Sequence, residues 1–84
     1  MTSEELRAAL LQAIASVAPE ADLGKLKGDV ELRPELDLDS MDFLQVVTRL
    51  GEALHLDIPE SDYAQLATLD AGVAYLAARV PQPP

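Results

Sequence analysis

Across residues 40–55 the large apolar side chains recur with the period of an α-helix, and no other stretch of the 84-residue chain is so strongly patterned. At about 100° per residue from Met41, the residues Phe43, Val46, Val47, Leu50, Ala53 and Leu54 fall on one continuous face. Asp42, Gln45, Thr48, Arg49, Glu52 and His55 fill the opposite side. Such a face has to be buried against other elements, and a chain this short can build only one core. Fifteen leucines and many alanines, against two tyrosines, one phenylalanine and no tryptophan, favour helices as those elements, because unbranched side chains and alanine lose little freedom in a helix. The expected fold class is therefore all-α, a small helical bundle forming one domain over residues 1–80.

Thr2 and Glu5 stand at capping-box spacing and should start a first helix, with Leu6, Ala9, Leu10, Ala13, Ile14 and Val17 as its apolar stripe and Pro19 as its stop. Residues 19–38 make a long connection containing Gly24, Gly28 and Pro34. Leu23, Leu26, Val30, Leu32, Leu36 and Leu38 are too many apolar residues for a free linker, so this loop is expected to pack along the bundle, with a turn of helix near Leu23 to Leu26. After the second helix, Pro59 suits a first helical position of a short third helix reaching Leu66. Thr68 can cap a fourth, striped by Leu69, Val73, Leu76, Ala77 and Val80. The proline-rich residues 81–84 read as a disordered tail.

Several functions are excluded by composition. Without cysteine there is no disulfide framework, thiolate metal site or thiol nucleophile. No stretch approaches the ~20 apolar residues of a membrane span, and Glu4 and Glu5 stand where a signal peptide carries positive charge, so a soluble, cytoplasmic monomer is expected. The net charge of −9 disfavours nucleic acid and anionic membranes and favours basic partners. Residues 29–62 hold ten acids and two bases, hence −8 of that total. A charge run is often only a solvated face; here it coincides with the most distinctive short stretch of the chain.

That stretch is Leu36-Asp37-Leu38-Asp39-Ser40-Met41-Asp42-Phe43-Leu44. Asp39 and Ser40 are both good N-cap residues, and an ordinary helix start would explain them. Met41, however, falls among the polar residues of the second helix and Leu44 on its boundary, which puts apolar side chains where water should be and marks a partner contact. No calcium loop fits: one starting at Asp37 would have Met41 at its fifth position and Thr48 where a bidentate glutamate is needed. A hydrolase serine would want flanking glycines and a histidine partner, and His55, the only histidine, lies three to four turns along the same helix. What remains is a serine displayed at a helix N-terminus with no internal base. Free N–H groups and the dipole favour phosphate there, while the flanking carboxylates repel a free anion. A covalent phosphoester at Ser40, installed by an enzyme that docks on the acidic surface, reconciles the two.

Residues 36–42 resemble the attachment motif of acyl carrier proteins, an Asp-Ser-Leu preceded by an apolar or small residue and followed by an acid. The resemblance covers nearly the whole order of elements, including Ile58-Pro59-Glu60 before the short third helix and Thr68-Leu69 before the fourth. It implies a four-helix bundle with a long packed loop between its first two helices, and 4′-phosphopantetheine on Ser40, transferred from coenzyme A by a phosphopantetheinyl transferase. The chain would be a carrier rather than an enzyme, holding acyl groups as thioesters. Asp37, Asp39, Met41, Asp42, Leu44, Gln45 and Arg49 would meet partners: acyl-loading, condensing or transferring enzymes with basic docking surfaces. Phe43, Val46, Val47 and Leu50 would line the space that shelters the acyl chain.

Carriers of bacterial fatty acid synthesis resemble one another in the acids along the outer face of the second helix, where this chain has Gln45 and Arg49. Each lost acid removes about 0.2–1 kcal/mol of exposed pairing with a basic partner. That points to a specialised lipid, fatty acid or polyketide pathway. Peptidyl and aminoacyl carriers typically place Gly or His before the serine, unlike Leu38-Asp39. The alternative of a different class is an unmodified acidic helical module that docks a basic protein.

Overall fold

Thr2 opens the first helix in the expected way. In the computed structural model, which describes residues 1–80, its hydroxyl accepts the Glu5 N–H (3.2 Å) and the Glu5 carboxylate accepts the Thr2 N–H (2.8 Å). These bonds, chiefly the one from the Thr2 backbone, hold the Glu5 carboxyl below its ordinary range. Helix α1, Ser3–Val17, buries Leu6, Leu10, Ala13 and Ile14, and packs against two later helices.

The connection to the next long helix holds two ordered pieces. The 3₁₀ turn Leu23–Lys25 lies where a helical turn is expected. Helix α2, Leu32–Glu35, is not foreshadowed, because Pro34 marks the stretch as irregular. Proline is tolerated within a first turn, whose N–H groups have no partner in the helix, so a single turn survives around it. The loop packs along the bundle as its leucines require: Leu26, Leu32 and Leu38 are buried, and Leu23, Val30 and Leu36 lie against the core. Backbone hydrogen bonds stitch it to the far end of the chain, from Leu32 N–H to the Ala67 carbonyl (2.8 Å) and from Asp70 N–H to the Gly28 carbonyl (3.0 Å), around a bridge between Glu31 and Thr68.

Helix α3, Ser40–Leu54, buries Phe43, Val46, Val47 and Leu50. Ala53 departs from the sequence expectation and is exposed. It sits at the edge of the apolar arc. The helix ends at His55 in left-handed backbone (φ 53°), with the His55 N–H on the Glu52 carbonyl and the Leu56 N–H on the Gly51 carbonyl (2.9 Å). Gly51 is interior to α3 because the Leu56 carbonyl folds back to within 2.7 Å of where a Cβ would stand.

Pro59 is extended and stands just outside the third helix, a 3₁₀ segment Glu60–Leu66, rather than inside it as expected from sequence. Helix α4, Leu69–Arg79, is capped by the Thr68 hydroxyl, which accepts the Ala71 N–H at 3.0 Å. Its buried face is Leu69, Gly72, Tyr75 and Leu76, with Val80 just beyond, so Val73 and Ala77 are only half-buried. Gly72 turns the stripe by letting Leu10 of α1 approach to 2.8 Å from the position a Cβ would take. Tyr75, absent from the expected stripe, is buried and donates its hydroxyl to Asp62 (2.7 Å). The Arg79 guanidinium lies over the Tyr75 ring and also donates to Asp62 (3.3 Å). Burial, reinforced by the Asp62 hydrogen bond, pushes the Tyr75 hydroxyl up from its ordinary range. This cluster ties the 3₁₀ helix to α4. Counting that segment third, the four expected helices are all present, with α2 as an extra turn in the loop. The expected tail, residues 81–84, lies outside the described residues.

Candidate functional site

Two residues compete to cap α3, and the competition is won by Asp39. Its Oδ1 accepts the Asp42 N–H at 2.8 Å, and Asp42 Oδ2 accepts the Asp39 N–H at 3.2 Å, a capping box built from two aspartates. Both carboxylates are thereby turned onto the backbone. Ser40 is left as the first helical residue, exposed, with a hydroxyl that the helix does not need. The Ser40 and Met41 N–H groups remain among the unsatisfied donors at the positive end of the helix dipole.

The chain reaches Ser40 through a tight reversal. After α2, Leu38 N–H donates to the Arg33 carbonyl (2.8 Å), and Asp37 adopts left-handed backbone (φ 54°), which aspartate tolerates better than most residues. Asp37 therefore has a backbone role as well as an exposed charge. The reversal brings α2 beside the start of α3, and Arg33 Nη2 donates to Ser40 Oγ at 3.1 Å. Sequence reasoning missed Arg33, since nothing in a local pattern shows that a residue seven positions upstream returns to the serine.

Met41 and Leu44 are the large apolar residues left in water, 64% and 41% exposed, as the helical wheel predicts. Gln45 and Arg49 are exposed on the same helix and Asp42 is half-buried. A cleft of about 600 Å³ opens beside Ser40, between α2, the start of α3 and the 3₁₀ helix. Phe43, Leu44, Tyr63, Ala64 and Ala67 supply its apolar wall, with Phe43 and Tyr63 meeting edge to face at 6.2 Å. Of the four residues expected to shelter an acyl chain, Phe43 lines this cleft. Val47 borders a second one near His55 and Ile58, and Val46 and Leu50 are packed in the core. Met41 and Tyr63 reach their exposure and placement through the fold; of the two, only Met41 was legible from the helical period.

A hydroxyl on display, with donors around it and no base to activate it, suits a residue on which another protein acts. The fold and this site together define a helical carrier scaffold. Residues 8–76 match the family described as phosphopantetheine attachment site, and the chain belongs to that family. It is similar to the acyl carrier proteins of Prochlorococcus marinus (strain MIT 9515), 29% identical over 94% of this chain and 98% of that one, and of Lactobacillus johnsonii (strain CNCM I-12250 / La1 / NCC 533), 32% identical over 90% and 94%. It is also similar to that of Rubrobacter xylanophilus (strain DSM 9941 / JCM 11954 / NBRC 16129 / PRD-1), 25% identical over 83% and 90%. No solved structure matches the chain. The protein is thus a phosphopantetheine-carrying, acyl-carrier-like protein, non-catalytic itself and dependent on a phosphopantetheinyl transferase. Among the described residues no helix is long and apolar enough to cross a membrane.

Proposed function

We propose that Ser40 is the residue that carries 4′-phosphopantetheine and that the chain ferries acyl groups for a specialised lipid, fatty acid or polyketide pathway in the cytoplasm. The observation that carries this reading is that Ser40 opens α3 exposed while Asp39 does the capping, so the hydroxyl can be modified at no cost to the helix. In the transfer, Ser40 Oγ attacks the phosphorus of coenzyme A that bears the pantetheine. The Oγ–P bond forms, the pyrophosphate P–O bond breaks, and 3′,5′-adenosine diphosphate leaves. The hydroxyl proton goes to a base on the transferase, since no histidine of this chain is near. Once attached, the arm supplies a thiol that holds acyl groups as thioesters. The apolar wall of Phe43, Tyr63 and their neighbours suits an acyl chain lying beside the arm. The specialised pathway is supported by Gln45 and Arg49 on the exposed face of α3, where Arg49 would repel a basic partner.

Incubation of the protein with coenzyme A and a broad-specificity phosphopantetheinyl transferase should add the mass of one phosphopantetheine, mapped to the peptide holding residues 36–44. A folded protein that gains nothing would favour the unmodified interaction module. Asp37, Asp39, Met41, Asp42, Leu44, Gln45 and Arg49 are proposed as the partner surface, with Met41 as its apolar anchor. Met41→Ala should slow modification or acyl loading several-fold and leave the circular dichroism melt nearly unchanged, because a side chain that is 64% exposed contributes little to the core. Unfolding of Met41→Ala would show that Met41 holds the bundle instead.

A further inference from the structure

We infer that Arg33 is a positioning residue for the arm: its guanidinium grips the phosphodiester on Ser40 and lays the first part of the arm over the cleft between α2, α3 and the 3₁₀ helix. The inference rests on the attachment at Ser40 proposed above. It begins from the Arg33 Nη2 hydrogen bond to Ser40 Oγ, 3.1 Å long, in the unmodified chain. After transfer, Oγ remains as the bridging ester oxygen, bonded directly to phosphorus. A guanidinium that donates to Oγ therefore already stands beside the anionic oxygens that arrive with the arm. Arginine suits them, because its planar fork can donate twice to one phosphate and its charge is permanent.

The alternatives open to Arg33 are few. Arg7, Lys25 and Arg79 lie within 4 Å of Asp70, Asp22 and Asp62, whereas among the described residues Arg33, like Lys27 and Arg49, forms no ion pair, although Glu31, Glu35 and Asp37 are its neighbours in sequence; of these three cations it is the one hydrogen-bonded to Ser40. The carboxylates closest to the serine, Asp39 and Asp42, are engaged with each other's N–H groups. They still burden a phosphate with like charge, and Arg33 is the cation placed to offset it. Its support is firm despite its exposed side chain. Leu32 beside it is buried and hydrogen-bonded to Ala67, and the Arg33 carbonyl accepts the Leu38 N–H, so α2 holds a fixed position relative to α3. Arg33 and Ser40 both border the 600 Å³ cleft, and a phosphate held between them starts the arm along that apolar wall rather than into solvent.

The test uses enzymatically modified protein whose mass gain has first been verified, with ¹⁵N-arginine labelling and a ¹³C-labelled pantetheine arm. On modification, the Arg33 Nε–H resonance should shift. The phosphate-proximal carbons of the arm should show order parameters well above the flexible range, falling below about 0.6 in R33Q. R33K should fall between them, and 1 M salt should reverse the wild-type response, because an exposed pair is screened. That salt comparison needs no variant and decides the question even if R33Q melts early. No Arg33 shift on modification, or arm order equal in wild type and R33Q, would overturn the grip while leaving attachment at Ser40 intact. A missing mass gain would overturn the attachment and the grip together.

Discussion

Ser40→Ala is expected to abolish phosphopantetheine uptake completely and to leave the fold where it was. The two halves of that expectation have separate causes. Loss of uptake follows from removing the hydroxyl on which the arm is proposed to be installed. Preservation of the fold follows from the cap: Asp39, not Ser40, accepts the Asp42 N–H, and the reciprocal Asp42 bond survives the substitution. At the first helical position alanine is a better helix former than serine by a few tenths of a kcal/mol, roughly cancelling the exposed Arg33 hydrogen bond that is lost. The melt should therefore stay within about 0.5 kcal/mol of wild type. Asp39→Ala is the informative contrast. It removes the cap and should cost about 0.5–2 kcal/mol while the hydroxyl proposed to take the arm is still present. Intact mass and thermal melts of both variants check these outcomes. If Ser40→Ala still gains the arm, the attachment lies elsewhere, with exposed Ser3 and Ser61 the first positions to map.

Most of the scaffold could be read from periodicity because its elements are terminated by local chemistry. Thr2 with Glu5, Asp39 with Asp42, and Thr68 each fix a helix start through contacts three residues away, which is the range a sequence pattern reports. The exposure of Met41 and Leu44 was legible for the same reason: a helical wheel needs no knowledge of what the helix packs against. Where an element depends on distant partners, the pattern falls short. Helix α2 forms around Pro34 because Leu32 is anchored to Ala67, a residue 35 positions away. Tyr75 is inside because Asp62 accepts its hydroxyl and Arg79 covers its ring, and Gly72 is on the buried face because Leu10 needs the room.

The candidate site divides along the same line. Ser40 and the apolar residues after it belong to one helix and could be found by eye. Arg33 belongs to another, and it meets Ser40 only because Asp37 takes a left-handed turn that brings α2 back alongside. The acyl-pocket expectation grouped Phe43, Val46, Val47 and Leu50 because they share a face. Sharing a face does not mean sharing a space, since one helix face can meet several neighbours along its length. Phe43 opens onto the cleft beside Ser40, and Leu50 is sealed among the helices two turns further on.

That difference sets the second large effect. Leu50 is fully buried, and Leu50→Ala should destabilise the bundle by about 2–5 kcal/mol, through lost burial and the cavity left behind. For a domain of this size each kcal/mol moves the melting midpoint by about 4–8 °C, so a fall on the order of 10–30 °C is expected in a thermal melt. Its consequence for the arm is indirect and can be separated from that of Ser40→Ala by temperature. Well below its lowered midpoint, Leu50→Ala should accept phosphopantetheine to completion, because the start of α3 is held by its own capping box and by α2. Near that midpoint, uptake should fall in step with the helical circular dichroism signal. Ser40→Ala should show no uptake at any temperature. Should Leu50→Ala stay folded by circular dichroism in the cold and yet refuse the arm, then residues nearly three turns down α3 would be shaping the site directly.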